Sequence, residues 1–206
     1  MPTVFSHAIA ATAIGAVMVS GPSRARIWAL GALCAVVPDL DVISFWLGVP
    51  YHHMLGHRGL SHSLLFAAVL ASVATALVFR KWPAGASGSG LWAFFFAATA
   101  SHGVLDAMTT GGFGVAFFAP FSDARYFLPW RPIVVSPISV RRFFSHDGLM
   151  RMWSELGWIW LPATTVFLAG LALHRRGGKR ELLAGQSTTS RRRPSADRSR
   201  ARRDRS

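Results

Sequence analysis

Apolar residues run through this chain in five long stretches separated by short polar breaks. The first is Val4 to Val19, closed by Ser20-Gly21-Pro22. The second starts at Ile27, is interrupted by Pro38-Asp39-Leu40-Asp41, and resumes from Val42 to Val49. The third is Leu60 to Phe79. The fourth runs from Leu91 to about Met108, after the Gly/Ser-rich hinge Gly85 to Gly90. The fifth is Trp153 to Leu173, with Pro162 inside it. A membrane-crossing helix needs about 20 residues, with a range of about 17 to 25. Segments three, four and five fit, and segment one is marginal.

Segment two is short before its break. Ile27 to Val37 is 11 residues, about 17 Å of α-helix and half of a bilayer core. Either the helix breaks at Pro38-Asp39, or the aspartates lie within a longer, tilted span. Broken helices at membrane depth are tolerated where they line an enclosed cavity. Both versions bury Asp39 and Asp41 inside a bundle. The pattern therefore predicts an all-α polytopic membrane helix bundle of about five transmembrane segments, the second broken at Pro38-Asp39.

Composition agrees with that pattern. The chain has 206 residues, is 51% hydrophobic and has a mean hydropathy of +0.35. This is the balance of a small membrane protein with a soluble tail, not of a water-soluble globule. Cys34 is the single cysteine, so no disulfide can form within the chain, and it reads as a small core residue. No Lys or Arg precedes the first apolar run, which predicts an uncleaved first helix rather than a signal peptide.

The net charge of +13 is not a global property. Twelve of the 22 Lys and Arg residues lie between Arg175 and Arg205. The sequence thus predicts a membrane domain over residues 1–174 and a basic, disordered cytoplasmic tail over 175–206. From Ser187 onward the tail is Arg, Ser, Thr and Pro, too polar to bury a core. Its expected partners are anionic lipid head groups, at about 1 kcal/mol per basic residue near the surface. Nucleic acid, attracted by charge alone, is the lesser expectation.

Orientation follows from the placement of Lys and Arg. Arg24 and Arg26 follow segment one, Arg80 and Lys81 follow segment three, and the tail follows segment five. With five spans these clusters share one side, the cytoplasm. Arg58, Arg125, Arg131, Arg141, Arg142 and Arg151 fall outside, mostly in the long connection from Thr109 to Met152, where the rule weakens. This topology carries four polar clusters to the outer face: His7, the pair Asp39 and Asp41, the pair His57 and His62, and the pair His102 and Asp106.

These residue types suit a metal. Ionisable groups against apolar segments are costly and mark function, and imidazole is the commonest metal ligand. His102 and Asp106 are four apart on a helix, on one face and about 6 Å apart. Asp39 and Asp41 are two apart, which suits an extended turn after Pro38 from which both reach one pocket. An N-cap for the next helix is the structural alternative. His57 and His62, five apart, must come from the Gly56/Gly59 turn and from the first turn of a helix. The metal-ligand set is then His7, Asp39, Asp41, His57, His62, His102 and Asp106. Seven groups suffice for one ion or for two about 3.5–4 Å apart. Mixed His and Asp ligands point to zinc first and manganese second. A metal-activated water would attack, Asp41 would serve as base, and Arg58 would hold an anionic substrate group. His52, His53, His146 and His174 read as interfacial residues outside the site.

Taken in order, His7, Pro38-Asp39-Leu40-Asp41, His57-Arg58-Gly59-Leu60-Ser61-His62-Ser63 and Ser101-His102-Gly103-Val104-Leu105-Asp106 form a specific set of motifs. Met108-Thr109-Thr110-Gly111-Gly112 and Phe127-Leu128-Pro129-Trp130 extend it. The set resembles the membrane-bound metal-dependent hydrolases of the YdjM type, bacterial inner-membrane proteins of which some are under LexA control. The resemblance covers roughly residues 1–140 and excludes the tail. It implies a metal-dependent hydrolase in the bacterial inner membrane and supplies no substrate. A more distant similarity to helical zinc phospholipases C, which also use an H-x-x-x-D pair, hints at phosphoesters. Val42 stands where relatives are expected to carry another polar residue, which leaves the number of ions open.

The expectation is a multi-pass hydrolase of a phosphoester or lipid-linked substrate, with its site facing outward and its tail in the cytoplasm. The connection Gly111 to Pro132, rich in Phe and Trp with Arg125 and Arg131, reads as an interfacial aromatic belt or as a lid whose Arg meets phosphate. Two rivals remain. A small ion or substrate transporter would also bury carboxylates at a broken helix, and a non-catalytic membrane scaffold would use the metal as a brace.

Overall fold

In the computed structural model, residues 1–81, 87–135 and 146–191 are described. Among them the helices are α1 (Val4–Met18), α2 (Arg24–Val36), α3 (Ile43–Trp46), α4 (Leu64–Lys81), α5 (Gly88–Ala107), α6 (His146–Glu155) and α7 (Leu161–Arg191). Short 3₁₀ turns occupy Val37–Val42 and Leu60–His62, and a π turn occupies Leu156–Trp160. There is no β-strand among the described residues, only isolated bridges between Thr109 and Ile133 and between Val115 and Tyr126. The fold is all-helical, as the apolar pattern predicts.

Contacts divide the chain into Met1–Leu171 and Ala172–Ser206. The first unit contains everything discussed below. In the second, helical backbone continues through Arg191, past Arg175 where the sequence reading starts its tail. Residues 192–206, nearly half of the expected tail, lie outside the described residues. So do Arg141, Arg142 and the first part of the Gly85–Gly90 hinge.

The break in segment two takes a specific form. α2 ends at Val36, and the chain tightens into a 3₁₀ turn with Pro38 at its start. Proline lacks the N–H that an α-helix interior would need and disfavours α geometry just before it. The turn then reopens into α3. Arg24–Trp46 is therefore one helical stretch of 23 residues, long and apolar enough to cross a membrane. Arg151–Arg176 is the other such stretch, and Val4–Met18 and Leu64–Val78 are apolar but shorter. Of the two versions left open by the sequence, the aspartates lie within a longer helical stretch, because a 3₁₀ turn continues a helix rather than ending it.

A proline also explains the π turn. In an α-helix the ring of Pro162 would clash with the carbonyl four residues back, at Trp158. The wider turn over Leu156–Trp160 absorbs the misfit just before α7 begins.

The core sits where α1, α2, α4 and α5 meet. Ala11, Ala16, Ile27, Trp28, Cys34, Ala35, Ala71, Ala74, Leu91, Phe94, Phe95 and Ala98 are all buried there, and Cys34 is a core residue as expected. Small residues let the backbones approach, and aromatic rings fill the space. Gly31 shows the fit most clearly: a Cβ there would lie 2.3 Å from Phe94 Cζ. This packing aligns the ends of α1, α2 and α5 with the loop that precedes α4, and every candidate ligand lies at that junction.

Candidate metal centre

Each polar residue reaches the junction from its own element. His7 lies in the first half of α1, and Asp39 and Asp41 lie in the 3₁₀ turn after α2. His57 and Arg58 lie on the loop before α4, and His62 closes the 3₁₀ turn Leu60–His62. His102 and Asp106 occupy the last turns of α5. His7, Asp39, His57, Arg58, His62, His102 and Asp106 are buried.

Five of the seven expected ligands form the heart of the cluster. His7, Asp39 and His102 each offer one ligand atom, all within 4.8 Å of one another, and so do His62, His102 and Asp106. His102 Nε2 lies 3.0 Å from His62 Nε2, 3.3 Å from Asp39 Oδ1 and 3.9 Å from Asp106 Oδ2. His62 Nε2 lies 3.3 Å from Asp106 Oδ2, and His7 Nε2 lies 3.9 Å from Asp106 Oδ1. The His7 ring stacks on His102 with centroids 3.7 Å apart.

The tautomers of His62 and His102 follow from their outer nitrogens. His102 Nδ1 lies 2.7 Å from the Ala35 carbonyl oxygen, a pure acceptor, so Nδ1 carries the proton and Nε2 carries a lone pair. His62 Nδ1 faces the Asp41 carboxylate at 3.1 Å, which places its proton on Nδ1 in the same way. The inner nitrogens of the two imidazoles thus face each other across 3.0 Å, flanked by the carboxylates of Asp39 and Asp106. Both oxygens of each carboxylate and both nitrogens of His7 lack a hydrogen-bond partner among the described residues. Arg58 Nε, 3.0 Å from Asp106 Oδ2, brings one positive charge to two buried carboxylates; buried charge short of partners is costly, and a cation relieves the cost. Ligands held at about 2.0–2.1 Å from a metal stand about 3 Å apart or slightly more, close to the spacing seen here. The residues fit a metal ion.

Asp41 and His57 stand outside both ligand groups. Asp41 Oδ1 meets His57 Nδ1 at 2.5 Å. Its Oδ2 accepts from the Arg58 backbone N–H at 3.0 Å and from Ser61 Oγ at 2.6 Å, beside His62 Nδ1. The expected extended turn, sending both aspartates into one pocket, is a 3₁₀ turn instead. At about three residues per turn, residues two apart diverge by roughly 120°, so Asp39 faces His102 while Asp41 faces His57 and His62. Asp41 then holds the outer nitrogen of a candidate ligand histidine, as metal-site carboxylates commonly do. Tyr51 covers His57, ring edge to ring face, with centroids 5.2 Å apart. Burial pushes the Tyr51 phenol above its ordinary range, against the opposing pull of Arg58.

Arg58 faces inward. Its Nε lies 3.0 Å from Asp106 Oδ2, its NH1 donates to the Gly111 carbonyl at 3.1 Å and its NH2 to Thr109 Oγ1 at 3.2 Å. The guanidinium is thus committed to protein partners, whereas the sequence reading gave it to a substrate anion. Its backbone is left-handed at φ 61°, a costly conformation for a non-glycine residue. Asp41 holds its N–H, and the Ala116 N–H donates to its carbonyl at 3.1 Å.

The outer connection is tied down by Arg125. This side chain donates to the carbonyls of Tyr51 at 3.0 Å, His53 at 3.2 Å, His57 at 3.1 Å and Arg58 at 3.3 Å. It clasps the 51–58 loop. Arg131 lies over the Phe127 ring at 4.8 Å. Phe113, Phe121 and Trp130 are exposed on the same connection, and His52 and His53 are exposed away from the ligands.

Three polar residues received no role in the sequence reading. Thr109 Oγ1 donates to the Asp106 carbonyl at 2.7 Å while accepting from Arg58; its signal was a threonine three residues past Asp106. Glu155 is buried, and it accepts from the Thr3 N–H at 3.0 Å, Thr3 Oγ1 at 2.6 Å and Ser6 Oγ at 2.5 Å. Trp160 Nε1 donates to the same Ser6 Oγ at 2.8 Å. An acid in the apolar fifth segment was the available signal for Glu155, and Ser6 had none beyond its neighbour His7.

Fold and site define an all-helical protein with a buried His/Asp cluster able to hold a metal ion. Residues 1–177 match the family described as "YdjM inner membrane protein", and the chain belongs to that family. It is 39% identical over 179 residues to "Inner membrane protein YbcI" of Escherichia coli (strain K12), a match covering 85% of this chain and 99% of the relative. No solved structure matches the chain. The family places the protein in the inner membrane, as the motif resemblance implies.

Proposed function

We propose that this protein is a membrane-bound metal-dependent hydrolase with one divalent ion, zinc by its ligand chemistry, held by His7, Asp39, His62, His102 and Asp106. The observation that carries the reading is the convergence of His7, His62 and His102 on the buried carboxylates of Asp39 and Asp106, with His62 and His102 Nε2 3.0 Å apart. Both ligand groups share His102. Its single free nitrogen can serve one ion, so the set is one centre rather than two. When bound, the ion supplies Lewis acidity and lowers the pKa of a bound water toward neutrality. The chain does the positioning: Asp41 fixes the His62 tautomer, and Arg58 offsets the charge of Asp106. The substrate class is a phosphoester or another lipid-linked bond, since the ligands gather at the ends of apolar helices.

The bundle reads as five spans with the ligand end outside and the C-terminal segment cytoplasmic. Support comes from the Lys and Arg placement and from exposed apolar stripes, such as Leu65, Val69, Val73 and Leu77 on α4. That spacing of about one helical turn faces lipid comfortably and water poorly.

A second reading, a structural metal bracing the bundle, draws support from burial. A cavity of ≈ 190 Å³ touches Asp41 and Ser61 but none of the five ligands. Elemental analysis of the detergent-purified protein should find about one zinc or manganese ion per chain, lost in His62→Ala and Asp106→Asn. Wild type without metal would sink both readings. Metal with turnover of a phosphoester panel supports the hydrolase, and metal that only raises the melting temperature supports the brace.

A further inference from the structure

α7 touches α1 at two points and stands away from it between them. At one end Trp160, just ahead of α7, donates to Ser6 Oγ at 2.8 Å. At the other, Gly170 backs onto α1 so closely that a Cβ would lie 2.5 Å from the Ala16 carbonyl oxygen. Between these pins lies a cavity of ≈ 300 Å³, lined by Ala8, Ile9, Thr12, Ala163, Thr164 and Phe167. Ser6 to Ala16 is ten residues, about 15 Å along the helix. The gap is built into the packing: small residues at Ala8 and Ala163 leave the space, and Phe167 is held edge-on against Trp28 at 5.7 Å.

The lining selects a kind of occupant. Thr12 donates its hydroxyl to the Ala8 carbonyl of its own helix at 2.8 Å, so it presents no free donor. The flanking surface of α7, at Leu161, Val166 and Leu168, is exposed and apolar. A second helix would need about 8–10 Å between axes, more room than a slot of ≈ 300 Å³ provides. A slim, flexible hydrocarbon chain fits. The Ser6 pin adjoins His7 in sequence and carries the polar groups Ser6, Glu155 and Trp160 Nε1, whereas the Gly170 end is apolar. A chain in the slot would carry its polar head toward the ligand cluster.

We infer that the slot between α1 and α7 binds the hydrocarbon chain of a membrane lipid whose head group lies beside His7. This assigns the substrate class of the proposed hydrolase as a lipid with a long alkyl or prenyl chain, and it rests on that membrane-bound reading.

The test uses the full chain in vesicles of phosphatidylethanolamine and phosphatidylglycerol, with a trace of the same lipids carrying a diazirine in the acyl chain. After photolysis and peptide mapping, labelling on Ile9, Thr12, Thr164 and Phe167 should exceed that on Val69 and Val73 of α4 about tenfold, equivalent to about 1.4 kcal/mol of preference. Ala163→Phe, which fills the slot, should reduce it to the α4 level. Thr164→Leu, a milder filling, should reduce it in part, with monodispersity reporting the fold of both variants. Even labelling around the bundle, labelling unchanged in Ala163→Phe, or chain-to-chain cross-links in place of lipid adducts would overturn the slot. Metal content measured on the same samples separates the two claims. Slot labelling without metal keeps the slot and removes the hydrolase; metal without slot labelling removes the slot alone.

Discussion

Asp41 and Arg58 contact the candidate ligands directly. Asp41 accepts from the Arg58 N–H and Ser61 and faces His57 and His62, so both its oxygens are occupied. Carboxylates behind a ligand histidine typically change metal affinity by about 10–100-fold. Asp41→Asn should therefore weaken zinc binding by about that factor, read by competition with a chelating dye, whereas His62→Ala should abolish it. Equal and complete loss in both variants would return Asp41 to the ligands. Arg58 is the buried counter-charge of Asp106. Removing one partner of such a pair costs about 3–5 kcal/mol. Arg58→Gln should lower stability by that order, read by urea unfolding in detergent.

At the scale of elements, the 3₁₀ turn Val37–Val42 and the loop before α4 decide the site. The turn separates Asp39 from Asp41, and the loop forces Arg58 into left-handed backbone so that its guanidinium points inward. Both depend on α2 and α5 lying close together, since Ala35 on α2 accepts from His102 on α5. The space at Gly31 sets that approach. Gly31→Val would meet Phe94, and overpacking of this kind costs about 1–3 kcal/mol. Thermal unfolding should show the loss, and Phe94→Leu in the same chain should recover part of it. A silent Gly31→Val would mean that the helices have room to part.

For the whole molecule, the proposed five-span reading puts the ligand end outside and the C-terminus inside. A fluorescent or phosphatase reporter fused after Ser206 should score cytoplasmic, and a periplasmic score would invert the orientation. The sequence by itself determined the helical class, the membrane setting and the residue types of the buried cluster. Apolar runs of spanning length and buried imidazoles are costly anywhere else, and that constraint is local. Its charge pattern also points the four polar clusters toward one end, and those clusters meet in the fold. Only the tertiary structure decided which residues meet. His7, Asp39, His62, His102 and Asp106 converge, while Asp41, His57 and Arg58 turn to hold them. The division depends on the pitch of one short turn and on the packing of α1, α2 and α5. Residues adjacent in sequence, such as Ser6 and His7 or His57 and Arg58, are sent to different partners by rotations of about 100° per residue in a helix and by a single left-handed step in a loop.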